Sequence, residues 1–208
     1  METNRSIEFF DRQFRRQIDA REFELNPFEQ LALPHLSGMV LDFGSGLGNL
    51  AIAAARSGCS VVALDASSTA IEHIRDVAAH DALPVTAAVA DLGTYRIVDR
   101  FDSVVSIGLL MFLDCPTAWR QLEQIKDCVR PGGVAALNVL VAGTSYMDMF
   151  APEGHCLFRP DDVLARFDGW QVLVDTRQDF PAPGGTTKSF MTIVARNSSC
   201  TDGSTPPC

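Results

Sequence analysis

A glycine-rich turn between two apolar segments constrains the fold of this chain more than any other feature of its sequence. Residues 39–43 (MVLDF) have the length and apolar character of a buried strand. Residues 48–58 (GNLAIAAARSG) favour a helix that ends at a glycine. Glycine has no Cβ, so a turn at Gly44, Gly46 and Gly48 can bend sharply and lie against a ligand. These segments predict an α/β fold with a ligand site at the end of the first strand.

The rest of the sequence continues to alternate between strand and helix patterns. Further strands are predicted at residues 60–65, 85–91, 101–110, 133–141, 170–176 and 189–195. Helices are predicted between most of them, including one that ends at residues 130–133 (RPGG). The last two strands are joined instead by a loop with Pro181, Pro183 and Gly184-Gly185. We therefore expect a mainly parallel sheet with helices on both faces and an antiparallel edge.

The N-terminal segment predicts an amphipathic helix. Its apolar side chains recur every three or four residues, at Ile7, Phe10, Phe14 and Ile18. Arginines alternate with phenylalanines in this segment, a pattern that also occurs where rings stack on nucleic-acid bases. We expect instead that the helix forms a lid across the cofactor entrance. The last residues are small, polar and rich in proline, which is typical of disorder. A lid segment, one α/β domain and a disordered tail are thus expected at residues 1–37, 38–197 and 198–208.

The composition limits the partners and the compartment. The formal net charge of −9 argues against a nucleic-acid partner, because such binding depends on Lys and Arg at phosphates. No apolar run reaches the roughly 18 residues of a membrane span, and the N-terminus has no signal-peptide core. The six cysteines form no CxxC pair, so no metal site is expected. We expect a cytoplasmic protein with reduced cysteines; a Cys200–Cys208 disulfide stays open.

The glycine spacing separates classes of cofactor. The dinucleotide fingerprint G-x-G-x-x-G needs its third glycine at position 49, which is Asn49, whereas here it comes at Gly48. A P-loop is excluded because no Lys-Ser/Thr pair follows. Asp65 ends the second predicted strand, where a carboxylate can accept hydrogen bonds from both ribose hydroxyls. Dinucleotide folds share that geometry, so Asp65 alone does not identify the cofactor.

The run D-x-G-x-G-x-G, which begins at Asp42, resembles motif I of the class I S-adenosylmethionine-dependent methyltransferases. The resemblance covers about residues 38–196 and includes the strand at 101–110 and the Pro131-Gly132-Gly133 turn. It implies a Rossmann-like, doubly wound sheet of seven strands, mainly parallel, with one antiparallel edge strand. It also implies S-adenosyl-L-methionine as cofactor.

The same resemblance assigns roles at the site. It implies that the glycine loop wraps the methionine moiety, with Asp42 near its ammonium group. Asp65 would bind the ribose, and Asp91 the adenine amino group, although Asp65 and Asp91 also suit helix or turn caps. The residues expected to bind the cofactor are Asp42, Gly44, Ser45, Gly46, Asp65, Ala66, Asp91, Leu92 and Ile107.

Residues 109–113 (LLMFL), with the later segments 158–173 and 189–196, are similar to the tellurite-resistance, TehB-like branch of this family. That implies methylation of a small molecule, such as tellurite, selenite or another soft nucleophile, whose lone pair needs no strong base. In that branch a His-Arg pair precedes the last strand. Here the corresponding loop offers only Lys188 at its end, and Arg159 or Arg177 are the expected substitutes.

Residues 142–160 form an insertion that we expect over the cofactor. Its large apolar side chains, which either wall the site or pack as core, are Tyr146, Met147, Met149 and Phe150. His155 is the candidate general base and Cys156 the candidate soft nucleophile, unless they are a surface histidine and an inert thiol. Tyr146 and Arg159 are further candidates for a catalytic role, and no catalytic residue is assigned.

Three other functions stay open. The glycine spacing opposes an NAD-dependent oxidoreductase but does not exclude it. A non-catalytic subunit that binds S-adenosylmethionine, or a methyltransferase for RNA or protein, would share the same motifs. We expect a small-molecule substrate because no recognition domain accompanies the core. The acceptor and the oligomeric state do not follow from the sequence.

Overall fold

Seven strands and six α-helices make up residues 5–150 and 154–198, which the computed structural model describes. The strands are β1 (Met39–Phe43), β2 (Ser60–Asp65), β3 (Val85–Val89), β4 (Phe101–Ile107), β5 (Val129–Leu140), β6 (Gln171–Ala182) and β7 (Thr186–Arg196). The α-helices are α1 (Arg5–Ala20), α2 (Pro27–Ala32), α3 (Asn49–Arg56), α4 (Ser68–His80), α5 (Cys115–Cys128) and α6 (Pro160–Arg166). Short 3-10 turns lie at Leu33–His35, Leu110–Phe112 and Pro183–Gly185.

The strands form one sheet in the order β3-β2-β1-β4-β5-β7-β6. β1 to β5 pair in parallel, while β7 pairs antiparallel to both β5 and β6. This confirms the predicted seven-stranded, mainly parallel sheet, with its one antiparallel strand next to the outermost strand. The strand order reverses between β1 and β4, and open α/β sheets bind ligands in the crevice at such a point.

Helices cover both faces of the sheet. Alternate residues of a strand point to opposite faces, so Val40 joins the core beneath α3 and α4 while Leu41 joins the core beneath α5 and α6. Ile71 of α4 and Ile125 of α5 are fully buried in these two cores. This double covering is the doubly wound arrangement predicted from the alternation of elements.

The β6–β7 hairpin is much longer than predicted. Pairing continues through Ala182 and Thr186, so most of the expected loop at 177–188 is strand. Pro181 is tolerated within β6 because it lies on an edge strand, where a missing N–H breaks no ladder on the outer side. The turn itself is Pro183–Gly185, and Gly184 has a φ of +70° that suits glycine.

Two other elements differ from expectation. α5 ends at Cys128, so the Pro131-Gly132-Gly133 segment lies inside β5 instead of ending the helix. A Cβ on Gly133 would lie 2.6 Å from the Asp102 carbonyl oxygen, which explains the need for glycine there.

The short helix α2 was not predicted. It begins with a capping box, since the Asn26 side chain accepts from Glu29 N and Glu29 Oε2 accepts from Asn26 N.

The N-terminal helix lies where the sequence predicts one, as α1. Ser67 Oγ, at the start of α4, donates a hydrogen bond to the Asp11 carboxylate. The Phe14 ring reaches the glycine turn at Gly46. Its role as a lid stays a prediction. Apart from Ser198, the expected disordered tail and its cysteines lie outside the described residues. No described helix is long and apolar enough to cross a bilayer.

Candidate active site

A cavity of about 460 Å³ lies at the carboxyl ends of β1, β2, β4 and β5, with α1 and α2 on its other side. All nine residues predicted to bind the cofactor line it. The topology therefore brings together residues that are up to 65 positions apart, from Asp42 to Ile107. Their contact with the cofactor stays a prediction.

The glycine turn is held in a conformation that favours glycine. Gly44, Gly46 and Gly48 have φ values of +88°, +51° and +73°. A Cβ would lie 2.8 Å from Leu109 at Gly44 and 2.5 Å from Ile74 at Gly48, whereas at Gly46 its nearest neighbour is the Phe14 ring at 3.4 Å. Two of the glycines thus allow close packing, and Gly46 leaves space on the cavity side.

Asp65 holds this turn in place. Gly46 N donates to Asp65 Oδ2 at 2.8 Å, and Ser67 N donates to Asp65 Oδ1 at 2.9 Å. Burial raises the pKa of Asp65, and these hydrogen bonds oppose that shift. A carboxylate oxygen can accept a second hydrogen bond, so both oxygens retain capacity for a ligand hydroxyl. The N-cap of α4 is Ser67, and not Asp65 as the alternative interpretation held; Asp65 orients the amide of that N-cap residue and lines the cavity.

Further buried carboxyl groups lie near Asp65 and the glycine turn, and we call this part of the cavity the cofactor end. Asp42 is only 4% exposed, and its pKa is raised to about 8, first by burial and then by repulsion from Glu29 and Asp65. Burial also raises the pKa of Glu29. Sequence reasoning missed Glu29, although the Asn26-x-x-Glu29 capping box is a signal that could have located α2.

Asp91 lies further along the cavity and shapes a turn. Its Oδ1 accepts from Gly93 N at 3.0 Å and its Oδ2 accepts from Thr94 Oγ1 at 2.9 Å. The adjacent Leu92 is buried. The turn-capping role considered for Asp91 is therefore observed, together with its position in the cavity wall.

Another part of the cavity lining is mainly apolar and carries one cation. The Phe112 ring packs against Phe10 with centroids 4.9 Å apart, and against Phe150 at 5.2 Å. Tyr146 lines the cavity, and Lys188 Nζ lies 4.8 Å from the centroid of its ring. We call this part of the lining, formed by Phe10, Met111, Phe112, Tyr146, Met149, Lys188 and Phe190, the acceptor end, after the role that we propose for it. Met147, proposed for the same wall, is instead 36% exposed.

Three of the four catalytic candidates lie away from the cavity lining. Cys156 forms a disulfide with Cys115, so it is not available as a free nucleophile, and the expectation of reduced cysteines is wrong for this pair. His155 stacks on Phe150 at 4.9 Å instead of facing the cavity. Tyr146 is the candidate that does line the cavity.

Arg159 and Arg177, which were expected to replace the missing His-Arg pair, do not lie at the cavity. Arg159 has a side chain 78% exposed and pairs with Asp162, and Arg177 pairs with Asp161. Neither lines the cavity. Among the described lining residues, Lys188 is the one that carries a positive charge. Lys188 lies in the cavity wall because the β6–β7 hairpin is longer than predicted, so the residue belongs to β7 and not to a loop.

Comparisons with known proteins agree with this geometry. Residues 40–133 match the family model described as a methyltransferase domain. The chain is 24% identical over 135 residues to the probable S-adenosyl-L-methionine-dependent methyltransferase TehB of Haemophilus influenzae. That match covers 64% of this chain and 46% of the relative. A similar match, 25% over 134 residues, is to hemagglutinin 1 of Eikenella corrodens and covers 44% of it. The chain therefore spans less than half the length of these curated relatives.

Solved structures show the same fold. The crystal structure of Haemophilus influenzae TehB superposes with a TM-score of 0.72 at 18% identity, covering 83% of this chain and 62% of that one. The 1,6-didemethyltoxoflavin-N1-methyltransferase of Burkholderia thailandensis, solved with its substrate and S-adenosylhomocysteine, gives a TM-score of 0.66 at 18% identity. Its coverage is 93% and 87%.

Residues 40–133 match a methyltransferase domain, and the sheet order and glycine turn are those of the class I S-adenosylmethionine-dependent methyltransferase fold. The chain is similar to TehB in sequence and in fold. The match to a methyltransferase domain and to this S-adenosylmethionine-dependent relative indicates S-adenosylmethionine as the cofactor. These similarities oppose the oxidoreductase alternative.

The acidic end of the cavity fits that cofactor. Burial raises the pKa of the Asp42 and Glu29 carboxyls, and Lys188 is not among the groups that shift either pKa. The ammonium and sulfonium groups of S-adenosylmethionine supply the positive charge that these carboxyls lack. Gly46 leaves room for a ligand beside the turn. Asp65 offers acceptor capacity to ribose hydroxyls.

Proposed function

We propose that this chain methylates a small acceptor that carries negative charge and a soft nucleophilic atom, with tellurite and selenite as the first candidates. The observation that carries the proposal is that one cavity is lined by both a group of carboxyls and a single described cation. Asp42, Asp65 and Glu29 lie close enough together to raise the pKa of Asp42, and Lys188 is the cation. A cationic methyl donor suits the carboxyls, and an anionic acceptor suits Lys188.

The size of the cavity supports a small acceptor. Its volume of about 460 Å³ lies in the lower part of the range of roughly 300–1,000 Å³ for small-molecule sites. A nucleoside cofactor fills much of that space, and helix α1 lies across it through Phe10 and Phe14. A folded protein or an RNA duplex would need a more open surface.

Lys188 is suited to recognise the acceptor's charge. It forms no ion pair with a carboxylate among the described residues, and its ammonium group lies against the Tyr146 ring. The ring holds the lysine by a cation–π contact without neutralising it. An oxyanion or carboxylate that enters the cavity would be its charge partner.

Bound S-adenosylmethionine supplies an electrophilic methyl group. The chain's own residues then have two tasks. Phe10, Phe112 and Tyr146 exclude water from the acceptor end. Lys188 and these rings hold the acceptor close to the cofactor, and proximity supplies most of the rate. A soft atom with its own lone pair needs no general base, and none is assigned.

A small aromatic acid is the second candidate acceptor. The rings of Phe112, Tyr146 and Phe190 at the acceptor end would stack on a planar organic group. Lys188 would bind its carboxylate. Inorganic oxyanions do not use such rings, so the aromatic wall favours this candidate specifically.

The test is an S-adenosylhomocysteine-release assay on purified protein with selenite, tellurite, small aromatic carboxylates, and neutral thiols and phenols. We expect turnover with anionic acceptors and little with neutral ones. Turnover confined to neutral acceptors would contradict the proposed charge preference. A protein that binds S-adenosylmethionine in a parallel titration, yet releases no product with any acceptor, would be a non-catalytic subunit instead.

A further inference from the structure

We infer that the Cys115–Cys156 disulfide is a redox modification site, reduced by dithiols, whose state controls the acceptor end of the cavity. The inference rests on the proposed function in one respect, namely that this end binds the acceptor. The bond joins residues 41 positions apart, and their Cα atoms are 4.7 Å apart. The proposed function makes no use of it.

The disulfide connects the two segments that form the acceptor wall. Cys115 begins α5, directly after the segment that places Met111 and Phe112 in the cavity. Cys156 belongs to the insertion that contributes Tyr146 and Met149. The covalent bond therefore fixes one half of the wall against the other.

The weaker contacts between these segments lie close to the same bond. Cys156 N donates a hydrogen bond to the Met111 carbonyl oxygen at 3.0 Å. The Phe150 ring contacts the Phe112 ring at 5.2 Å. In contrast, Ser145 N and Tyr146 N bond to Thr187 O of β7, which anchors the start of the insertion elsewhere. Reduction would leave the Phe112–Phe150 side with non-covalent contacts alone.

The chemistry is a balanced thiol–disulfide exchange. Cys115 is half-buried while Cys156 is 1% exposed, so an incoming thiolate reaches the Cys115 sulfur first. Its attack breaks the protein S–S bond, and Cys156 leaves as a thiolate that takes up a proton. The second thiol of the reductant then attacks the mixed disulfide, releases Cys115 as a thiol and closes the reductant's own disulfide. The protein gains two electrons and two protons.

The other described cysteines do not offer this chemistry. Cys59 and Cys128 are buried free thiols, and burial raises the pKa of both, that of Cys128 to about 12. A thiol that stays protonated is a poor nucleophile. Within residues 5–150 and 154–198, the redox response therefore belongs to Cys115 and Cys156.

The glycine turn and Asp65 at the cofactor end are anchored independently of the disulfide. Gly46 is held by Asp65, and Gly44 N and Ser45 N donate to the Leu64 carbonyl oxygen. None of these contacts involves α5 or the insertion. Reduction should therefore weaken acceptor binding and leave cofactor binding unchanged.

The experiment compares air-oxidised full-length protein with the same protein reduced by dithiothreitol. Alkylation and mass spectrometry count the free thiols. Hydrogen exchange, measured with S-adenosylhomocysteine bound, follows peptides that contain Met111–Cys115 and Cys156–Phe158. We expect faster exchange in both peptides after reduction, and an unchanged dissociation constant for S-adenosylhomocysteine. We also expect a KM for selenite raised about two- to tenfold, since wall side chains must then be ordered on binding.

The variants separate the disulfide from general effects of the reductant. The double variant Cys115→Ser, Cys156→Ser should behave as reduced protein and ignore dithiothreitol, while Cys59→Ala should respond like the wild type. Two results would overturn the inference even if the double variant fails to fold. One is absence of the disulfide in oxidised protein, and the other is hydrogen exchange that is the same in oxidised and reduced protein. Absence of turnover with every acceptor counts against the proposed function instead, because the exchange and affinity measurements need no acceptor.

Discussion

The cofactor end and the acceptor end of the cavity are built from different parts of the chain. At the cofactor end, Asp65 accepts hydrogen bonds from Gly46 N and Ser67 N, so strand ends and backbone amides shape the site. At the acceptor end, the wall consists of side chains such as Phe10, Tyr146 and Lys188 from distant segments. The first end is therefore fixed by the fold, and the second depends on side chains that can change without disturbing the sheet.

The largest effect should come from the glycine turn. Gly48→Ala should lower the free energy of unfolding by about 2–5 kcal/mol, from about 1–2 kcal/mol for a left-handed residue with a Cβ plus 1–3 kcal/mol for overpacking. The overpacking arises because the new Cβ would lie 2.5 Å from Ile74. Urea unfolding measures the loss. Gly58→Ala is the control, because its φ is +97° but no atom lies within 4 Å. An equal loss in both variants would contradict the packing argument.

Removal of the Asp65 carboxylate should affect cofactor binding next. Asp65→Ala should weaken S-adenosylmethionine binding at least about tenfold, or 1.4 kcal/mol, in isothermal titration. The variant loses both the acceptor for ribose hydroxyls and the hydrogen bond that orders Gly46. Asp76→Ala, on the exposed side of α4, should bind normally. Unchanged affinity in Asp65→Ala would mean that the ribose assignment is wrong.

A change at Lys188 should affect the acceptor end alone. Lys188→Met should raise the KM for an anionic acceptor about tenfold, because a hydrogen bond to a charged group contributes about 1.5 kcal/mol. kcat and the S-adenosylmethionine affinity should change little. Arg177→Met provides a matched control, since Arg177 pairs with Asp161 away from the cavity. If both variants raise KM equally, Lys188 is not the acceptor's charge partner.

The smallest effect concerns pH. The pKa of Asp42 is about 8 in the folded protein against an ordinary value of 3.8, so between these values the folded state binds more protons than the unfolded state. Stability of the cofactor-free protein should therefore fall, by about 1 kcal/mol, as pH rises from 7 to 8. Thermal unfolding across this range measures it. Asp42→Asn should reduce the slope, and a slope that rises with pH in both proteins would contradict the assignment.

The residues predicted to bind the cofactor do line one cavity, because their sequence signals are local. A buried strand, three glycines and an acid at the end of the next strand occur within about 25 residues, and the parallel sheet brings Asp91 and Ile107 to the same edge. Such positions follow from strand order alone. The fold class was confirmed for the same reason, since alternation of elements determines a doubly wound sheet.

The acceptor end was predicted poorly because its residues meet only through tertiary structure. His155 and Arg159 belong to the correct insertion, yet the chain turns them away from the cavity. The sequence predicted Lys188 at the end of a loop, because the Pro181 that precedes it argues against a strand. The Cys115–Cys156 disulfide spans 41 residues without any local motif, so no spacing rule could have indicated it.

The reversed direction of β7 has a consequence for how this protein can change its specificity. In a parallel strand, the residues that face the ligand follow the strand. Because β7 runs antiparallel to β5, the ligand edge instead receives its first residues, Lys188 and Phe190, directly after the hairpin turn at Pro183–Gly185. Lengthening or shortening that turn would move the charged Lys188 side chain within the cavity and leave the glycine turn unchanged. The two parts of the cavity lining can thus vary independently on one sheet.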